Sequence, residues 1–340
     1  MDTIKLVLAG CGQMGGRWLD YALQRKDAEP VALVDVAPAS AAAMNDRFGL
    51  KLPVYSTVEE AIRETRAVLL LDTTIPDAHA SNACVAMEMG AGVMMEKPMA
   101  TTMVDAQRLI DISKRTGAFC AVMQNRRFTK EIRSLKAMLD EGIIGKPGYV
   151  AADFFLGPRF GGFRETMEHP LILDMAIHTF DAARYLIDAR PTAVYCHEFN
   201  PEGSWYRGAS SAACFFEFEN GAAFSYNGSW SAQGFPTSWE GSWRLSGSKG
   251  TAIWDGDNMP HFQTANEGAG GGLASINGDL RWSGAERRDA CLDEMFDSYR
   301  NGTRSETDIH DNIHSVAMML GAIESSRRGA RVKLSELYSM

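Results

Sequence analysis

The chain has 340 residues, 45% of them hydrophobic and 23% charged, which is the composition of an ordinary globular protein long enough for two domains. A formal net charge of -9 excludes nucleic acid and anionic membrane as main partners, because both reward a basic surface, and points to a small-molecule ligand. No apolar run approaches the roughly 18 residues of a membrane span, and "MDTIKLVLAG" enters a strand pattern directly, so a cytoplasmic protein is expected. Its six cysteines, Cys11, Cys84, Cys120, Cys196, Cys214 and Cys291, form no C-x-x-C pair and sit mostly in apolar stretches, as reduced core thiols do.

In chain order, the first third alternates short apolar runs with helical patterns. "TIKLVLAG", "VALVDV", "AVLLLDTT", "GVMMEK" and "AFCAVMQ" are strands. "GRWLDYALQRK", "SAAAMNDRFG", "TVEEAIRET", "DAHASNACVAMEMG" and "MVDAQRLIDISKRTG" are the helices between them. This rhythm is that of a doubly wound parallel sheet, a Rossmann domain over 1–123. From Tyr149 the pattern changes to strands with short turns: "AVYCHEFN", "SSAACFFEFENGAAFSYNGSW", "SWEGSWRLSG" and "GTAIWDG", with an Asn-Gly hairpin at "FENGAAF". An α+β domain with a large, mostly antiparallel open sheet is therefore expected over 124–340. "NEGAGGGLASINGD" reads as a surface loop, and two amphipathic helices close the chain.

The first chemical signal is "LVLAGCGQMG". Gly10, Gly12 and Gly15 have the G-x-G-x-x-G spacing between the first strand and first helix, and Gln13 and Met14 lie in the same turn. Such a turn brings backbone close to a pyrophosphate at a helix N-terminus. Asp35 ends the second strand 20 residues beyond Gly15, where a carboxylate grips the adenosine ribose diol. It would also repel a 2′-phosphate, and the following "VAPAS" brings no arginine, so NAD is expected rather than NADP. Thr73, Thr74 and Pro76 follow a parallel strand and are expected to touch the cofactor, while His79 reads equally as a surface residue at a helix start. Glu96, Lys97 and Pro98 lie at the carboxyl end of a later strand, the edge where open α/β sheets bind ligands. The competing reading of Lys97 is a surface lysine at a strand–turn junction.

Further along, "LILDMAIHTFD" places Asp174, His178 and Asp181 in one sector of a helix of α period, while Leu171, Ile172, Met175 and Ile177 point to a core. "AGCGQMG", Asp35, "MMEKPMA" and "DMAIHTFD", in this order, together with "LDEGIIGKPGYV", resemble the glucose-fructose oxidoreductase / inositol dehydrogenase / rhizopine-catabolism (Gfo/Idh/MocA) family of NAD(P)-dependent sugar and cyclitol dehydrogenases. The resemblance covers almost the whole chain. It implies a Rossmann domain, a C-terminal domain with a large open sheet, and a site of Lys97, Asp174 and His178. The chain departs from many relatives in having Glu168, His169 and Pro170 where they have a Gly-rich run before the aspartate, a difference that bears on the substrate rather than the chemistry.

For that chemistry, His178 suits the general base that takes a hydroxyl proton, and Lys97 the cation that stabilises the developing alkoxide. Asp174 binds a neighbouring hydroxyl or orients the imidazole, and Asp181 pairs or caps within its helix. Asn125 and Arg126, with Arg127 beside them, reach sugar hydroxyls or form interdomain salt bridges. "GPRFGGFRE" offers Arg159 and Phe163 to the substrate, and Trp205, Trp230, Trp239 and Trp243 offer aromatic surface to a sugar or core to the sheet. His310 and His314 have zinc-helix spacing without a third ligand, so a solvated helix face is the better reading and no metal is expected. The expected function is NAD-dependent oxidation of a small sugar or polyol, an aldose before a cyclitol. The alternatives are a glycoside-processing enzyme using NAD transiently and a non-catalytic NAD-binding sugar sensor. A homodimer or homotetramer through the open sheet is expected, because "AAFSYNGSW" presents small and weakly polar residues on one face.

Overall fold

The protein is described from a computed structural model covering residues 3–265 and 272–338. It divides into two compact units, 1–124 with 291–316, and 125–290 with 317–340. Residues 291–316, which the sequence pattern placed with the second domain, pack with the first unit.

In the first unit, β1 (Ile4–Ala9), α1 (Gln13–Gln24), β2 (Ala28–Val34), α2 (Pro38–Phe48), β3 (Val54–Tyr55), α3 (Val58–Thr65), β4 (Leu69–Asp72), α4 (Pro76–Glu88), β5 (Gly92–Met95), α5 (Met103–Thr116) and β6 (Cys120–Val122) alternate along the chain. The six strands form one parallel sheet in the order β3-β2-β1-β4-β5-β6. Strands β4, β5 and β6 are buried along their whole length, which is why they read as continuous apolar runs. Thr57 and Thr102 start α3 and α5 by accepting the Glu60 and Asp105 amides. The sheet order reverses between β1 and β4, so the turns after these strands lie side by side at the carboxyl edge. Beyond β6, the Val122 amide donates to the Thr307 carbonyl at 3.0 Å, which ties the 291–316 segment to the sheet.

The second unit opens with a 3-10 turn at Asn125–Phe128 and α6 (Lys130–Asp140). β7 (Pro147–Phe155), the short α7 (Phe163–Thr166), a π-helical turn at Leu171–Ala176 and α8 (Ile177–Ile187) follow. Next come β8 (Pro191–Phe199), β9 (Ser211–Phe218), β10 (Ala223–Ser229), β11 (Ser242–Gly247), β12 (Gly250–Trp254), β13 (His261–Ala265) and β14 (Leu273–Asn277). α9 (Arg287–Asn301), α10 (Ile309–Arg328) and β15 (Val332–Lys333) complete the chain. The sheet has nine strands in the order β14-β13-β12-β11-β7-β10-β9-β8-β15, antiparallel except for β7 beside β10. The surface loop expected at "NEGAGGGLASINGD" is corrected in part: Leu273–Asn277 is the edge strand β14, while 266–271 lie outside the described residues.

The inner face of this sheet is aromatic. Phe180 of α8 meets Phe216 and Tyr226 edge-on, with ring centroids 4.8 and 5.2 Å apart, so α8 is fixed on the sheet by packing worth about 1.5–3 kcal/mol for each fully buried ring. The outer face carries a row read straight across the pairing register: Tyr195, Phe215, Ser225, Ala151, Arg244, Ile253, His261 and Asn277. Tyr195 is 52% exposed, Phe215 43% and Ile253 45%. The face is thus more aromatic than the small-residue face that the sequence suggested.

Candidate active site

In the first unit the glycine turn has the shape that a dinucleotide requires. Gly10 has φ +88°, and a Cβ there would stand 2.6 Å from the Thr73 carbonyl, while a Cβ on Gly15 would stand 1.9 Å from the Gly10 carbonyl oxygen. A Cβ on Gly12 would meet nothing within 4 Å. Gly12 is the N-cap of α1, no side chain caps that end, and Gly12, Gln13 and Met14 are exposed, so the first amides of the helix face open space. Asp35 Oδ2 accepts the Cys11 amide at 2.7 Å and Oδ1 the Ala37 amide at 2.8 Å, which holds the carboxylate against the turn. A pyrophosphate before α1 and a ribose diol at Asp35 fit these residues.

Beside the turn, Thr73 donates its hydroxyl to the Gly10 carbonyl at 2.8 Å, and Thr74 donates its own to Asp72 at 2.6 Å. Pro76 is the first residue of α4, where its missing N–H costs nothing. Glu96 is buried and accepts from Trp18 Nε1 at 3.0 Å and from the Lys97 amide at 3.4 Å. Burial pushes its pKa up, opposed first by the charge of Lys97. Lys97 is half-buried, and its peptide bond to Pro98 is cis. The surface reading of His79 is wrong: the ring is fully buried between two backbone carbonyls.

In the second unit Asp174 and His178, each 9% exposed, lie either side of the junction between the π turn and α8. Arg164, at the end of the segment before them, donates to Asp174 Oδ2 at 2.7 Å. This pair is not legible in the sequence, because the nine residues between its members carry no periodicity that links them. His178 lines a cavity of about 10 Å³, room for a single water, with Arg126, Thr179, Trp239, Glu240 and Trp254. Arg126 pairs with Glu240 at 2.6 Å, as does Arg287 at 2.8 Å.

Asp181 does not share that environment. Both its oxygens accept from Arg127, at 2.8 and 2.6 Å, so the single-sector reading fails and the arginine is an intra-unit partner. The π turn shifts Asp174 off the α period on which the sector was drawn, whereas His178 and Asp181 both lie on the regular α8 and Asp181 is turned to Arg127. His169, in the departure segment, sits 3.0 Å from the buried Glu198 carboxylate, and hydrogen bonding to Glu198 raises its pKa more than burial lowers it. Arg159 is exposed and its guanidinium lies 4.2 Å from the Trp205 ring centre. Phe163 begins α7, and its side chain lies outside the described residues. Asn125 is half-buried in the 3-10 turn. Of the tryptophans, Trp230 and Trp243 are sheet core, whereas Trp239 is 43% exposed.

His310 and His314 are not a solvated face: His314 is buried and His310 Nδ1 is 2.7 Å from Asp308. Among the described residues no three His, Cys, Asp or Glu side chains converge to hold a metal. The described cysteines are buried and form no disulfide, with Cys196 and Cys214 facing each other across β8 and β9 at 3.3 Å between sulfurs.

Residues 4–124 match the profile of the oxidoreductase family with an NAD-binding Rossmann fold, GFO/IDH/MocA, and residues 132–253 match the C-terminal domain of that family. The chain belongs to the GFO/IDH/MocA family. It is an oxidoreductase with an NAD-binding Rossmann domain. An uncharacterised protein of Sinorhizobium fredii, y4oX, is 29% identical over 98% of this chain and 96% of its own. A D-apiose dehydrogenase of Paraburkholderia graminis is 26% identical over 99% and 91%. The myo-inositol dehydrogenase of Lactobacillus casei, solved with NAD(H) and myo-inositol, shares the fold with a TM-score of 0.79 at 20% identity, over 97% and 96% of the two chains.

Proposed function

We propose that this GFO/IDH/MocA protein oxidises a hydroxyl of a small sugar or polyol, with an aldose ahead of a cyclitol. Gly10, Gly12, Gly15 and Asp35 would hold NAD, which when bound supplies the hydride acceptor. His178 takes the hydroxyl proton, Lys97 stabilises the developing alkoxide, and Asp174, positioned by Arg164, accepts a hydrogen bond from a neighbouring hydroxyl. The observation that carries this reading is His178 itself: an imidazole among Arg126, Glu240 and tryptophans, beside a water-sized cavity through which a proton can leave. Phe160 and Trp239, both partly exposed and 6.3 Å apart, provide an aromatic face for a sugar ring. Among full-length relatives, D-apiose dehydrogenase is named for an aldose.

The test is NADH absorbance with enzyme, NAD and a panel of aldoses and cyclitols. NADH formation with an aldose is the expected result. A protein that binds NADH but oxidises neither class would be a sensor, and the catalytic reading would fall.

Asp35→Ala is expected to weaken NAD binding by about 1.5–3 kcal/mol and to narrow the preference against NADP, since a charge-assisted grip on the diol is lost. An unchanged Michaelis constant for NAD would sink this assignment.

The outer sheet face supports a homodimer or homotetramer. It exposes Tyr195 and Phe215 on the adjacent strands β8 and β9, and Ile253 farther along the same row. Light scattering at micromolar concentration should show a multiple of the chain mass, and a monomer would end the idea. Among the described residues no helix is long and apolar enough to cross a membrane. With six buried cysteines outside any disulfide, the cytoplasm is the compartment we propose.

A further inference from the structure

We infer that His169 is a positioning residue: paired with Glu198, it seats the segment 163–169 on the nine-stranded sheet so that Arg164 and Asp174 keep their places. Its Nδ1 lies 3.0 Å from Glu198 Oε2, and the glutamate side chain is 4% exposed against 25% for the histidine. Glu198 lies near the end of β8, and its amide donates to the Ser326 hydroxyl of α10 at 2.9 Å, so the carboxylate stands on backbone that is fixed from two sides. The segment itself runs beside 207–209. The Arg207 amide donates to the Glu165 carbonyl at 2.8 Å and the Ala209 amide to the Glu168 carbonyl at 2.9 Å. A Cβ on Gly208 would stand 2.0 Å from the Glu168 carbonyl oxygen, so the fit there is close. The His169 carbonyl accepts the Leu173 amide at 3.0 Å, a bond into the π turn on which Asp174 lies. One residue therefore meets the sheet through its ring and the turn of Asp174 through its backbone, and the same segment carries the Arg164 that donates to Asp174.

A carboxylate buried to this degree needs a positive partner, and a His169 ring carrying both protons supplies it. Hydrogen bonding to Glu198 raises the His169 pKa, burial lowers it by less, and the charges of Glu198 and Glu168 raise it further. Glu168 stands 4.0 Å from Nε2, at the rim of the pair. Of the other elements beside it, α10 presents Ser326, whose neighbour Arg327 is exposed and paired with Glu324, and the 207–209 stretch carries Arg207, whose side chain is exposed. The raised folded-state pKa sets the sign of the pH dependence. The attraction is complete below the ordinary histidine value and is lost as pH rises through the raised one. Above that pH the seat loosens, and Arg164 and Asp174 lose the support that sets their positions.

The kinetic part of the test rests on the proposed role of Asp174, and the titration does not. The ligand-free full chain labelled with ¹⁵N-histidine is titrated across neutral pH, with His169 assigned through the backbone of its segment. His169 should titrate above the ordinary histidine value of about 6.5 and fall back towards it in Glu198→Gln. Titration of the parent at or below that value, or a raised midpoint that Glu198→Gln leaves in place, would overturn the pair. The parent midpoint decides even if the variants fail to fold. His169→Gln, which keeps a donor but no charge, should raise the KM of the sugar or polyol about tenfold with kcat changed less than about threefold, because Asp174 binds a hydroxyl and does not move the proton. In the parent that KM should climb as pH passes the His169 midpoint, and in the variant this climb should be missing. His178 is present in both, so its own titration cancels in the comparison. A His169→Gln enzyme with the parent's KM at every pH would overturn the positioning role. If no sugar or polyol is oxidised while His169 titrates as expected, the dehydrogenase reading fails and the ion pair stands.

Discussion

Replacing His178 with alanine is expected to slow turnover by roughly 10²–10⁴-fold, with rate returning as pH rises, because hydroxide or water takes over the proton that the imidazole accepts. Lys97→Met should instead lose activity at every pH, since no solvent species replaces a fixed cation beside the developing alkoxide. The two replacements fail differently because one residue moves a proton and the other stabilises charge. Neither belongs to the Gly10 to Gly15 turn or to Asp35, so both variants should still bind NADH in a fluorescence titration. The position of His178 favours a substitution that removes chemistry more than structure: it lies at the first turn of α8 beside a water-sized cavity, and Phe180 holds the helix on the sheet independently. The measurement is the pH profile of turnover for each variant with an established substrate. Near-normal turnover of His178→Ala at neutral pH, together with loss of the basic limb in Lys97→Met, would make the lysine the base and reverse the assignment.

What the sequence disclosed follows from the range over which each feature is encoded. The parallel strands are buried on both faces, so their apolar runs are continuous and local, and the glycine turn is constrained by atoms within a few residues plus one neighbouring strand. These were legible. His79 was not, because its burial depends on the Pro98 carbonyl 19 residues on, and a lone histidine at a helix start has the same local pattern whether it faces solvent or backbone. The pairing of Arg164 with Asp174 is hidden for the same reason. The grouping of Asp174 with His178 and Asp181 went astray for a different one: the i, i+4, i+7 argument presumes an unbroken α-helix, and the π turn at Leu171–Ala176 shifts Asp174 off that period. β14 was missed because an edge strand whose residues are mostly exposed owes its shape to pairing with β13 rather than to an alternating pattern. The apolar residues of the tail showed that its helices were amphipathic, but not which sheet the 291–316 segment would join.

Removing Arg127 is expected to cost about 3–5 kcal/mol of stability in the second unit, the usual cost of breaking a buried ion pair from one side. Asp181 and Arg127 are 1% and 5% exposed as side chains, and the guanidinium binds both carboxylate oxygens, the geometry in which attraction best offsets desolvation. In Arg127→Met the Asp181 charge keeps Arg184 at 3.7 Å but loses its bidentate partner, and a carboxylate left in that position is poorly solvated. The pair ties the 3-10 turn at Asn125–Phe128 to α8, the helix that carries His178. Loss of stability should therefore be accompanied by a fall in turnover even though neither residue touches substrate in the proposed mechanism. Arg127→Met/Asp181→Leu removes both charges together and should recover most of the lost stability, because an apolar pair of similar volume avoids the desolvation that either charge alone incurs. Chemical denaturation of the single and double variants, followed through the tryptophans of the second unit, makes the comparison. A single variant as stable as the parent, with turnover intact, would show that the pair does not hold α8 in place.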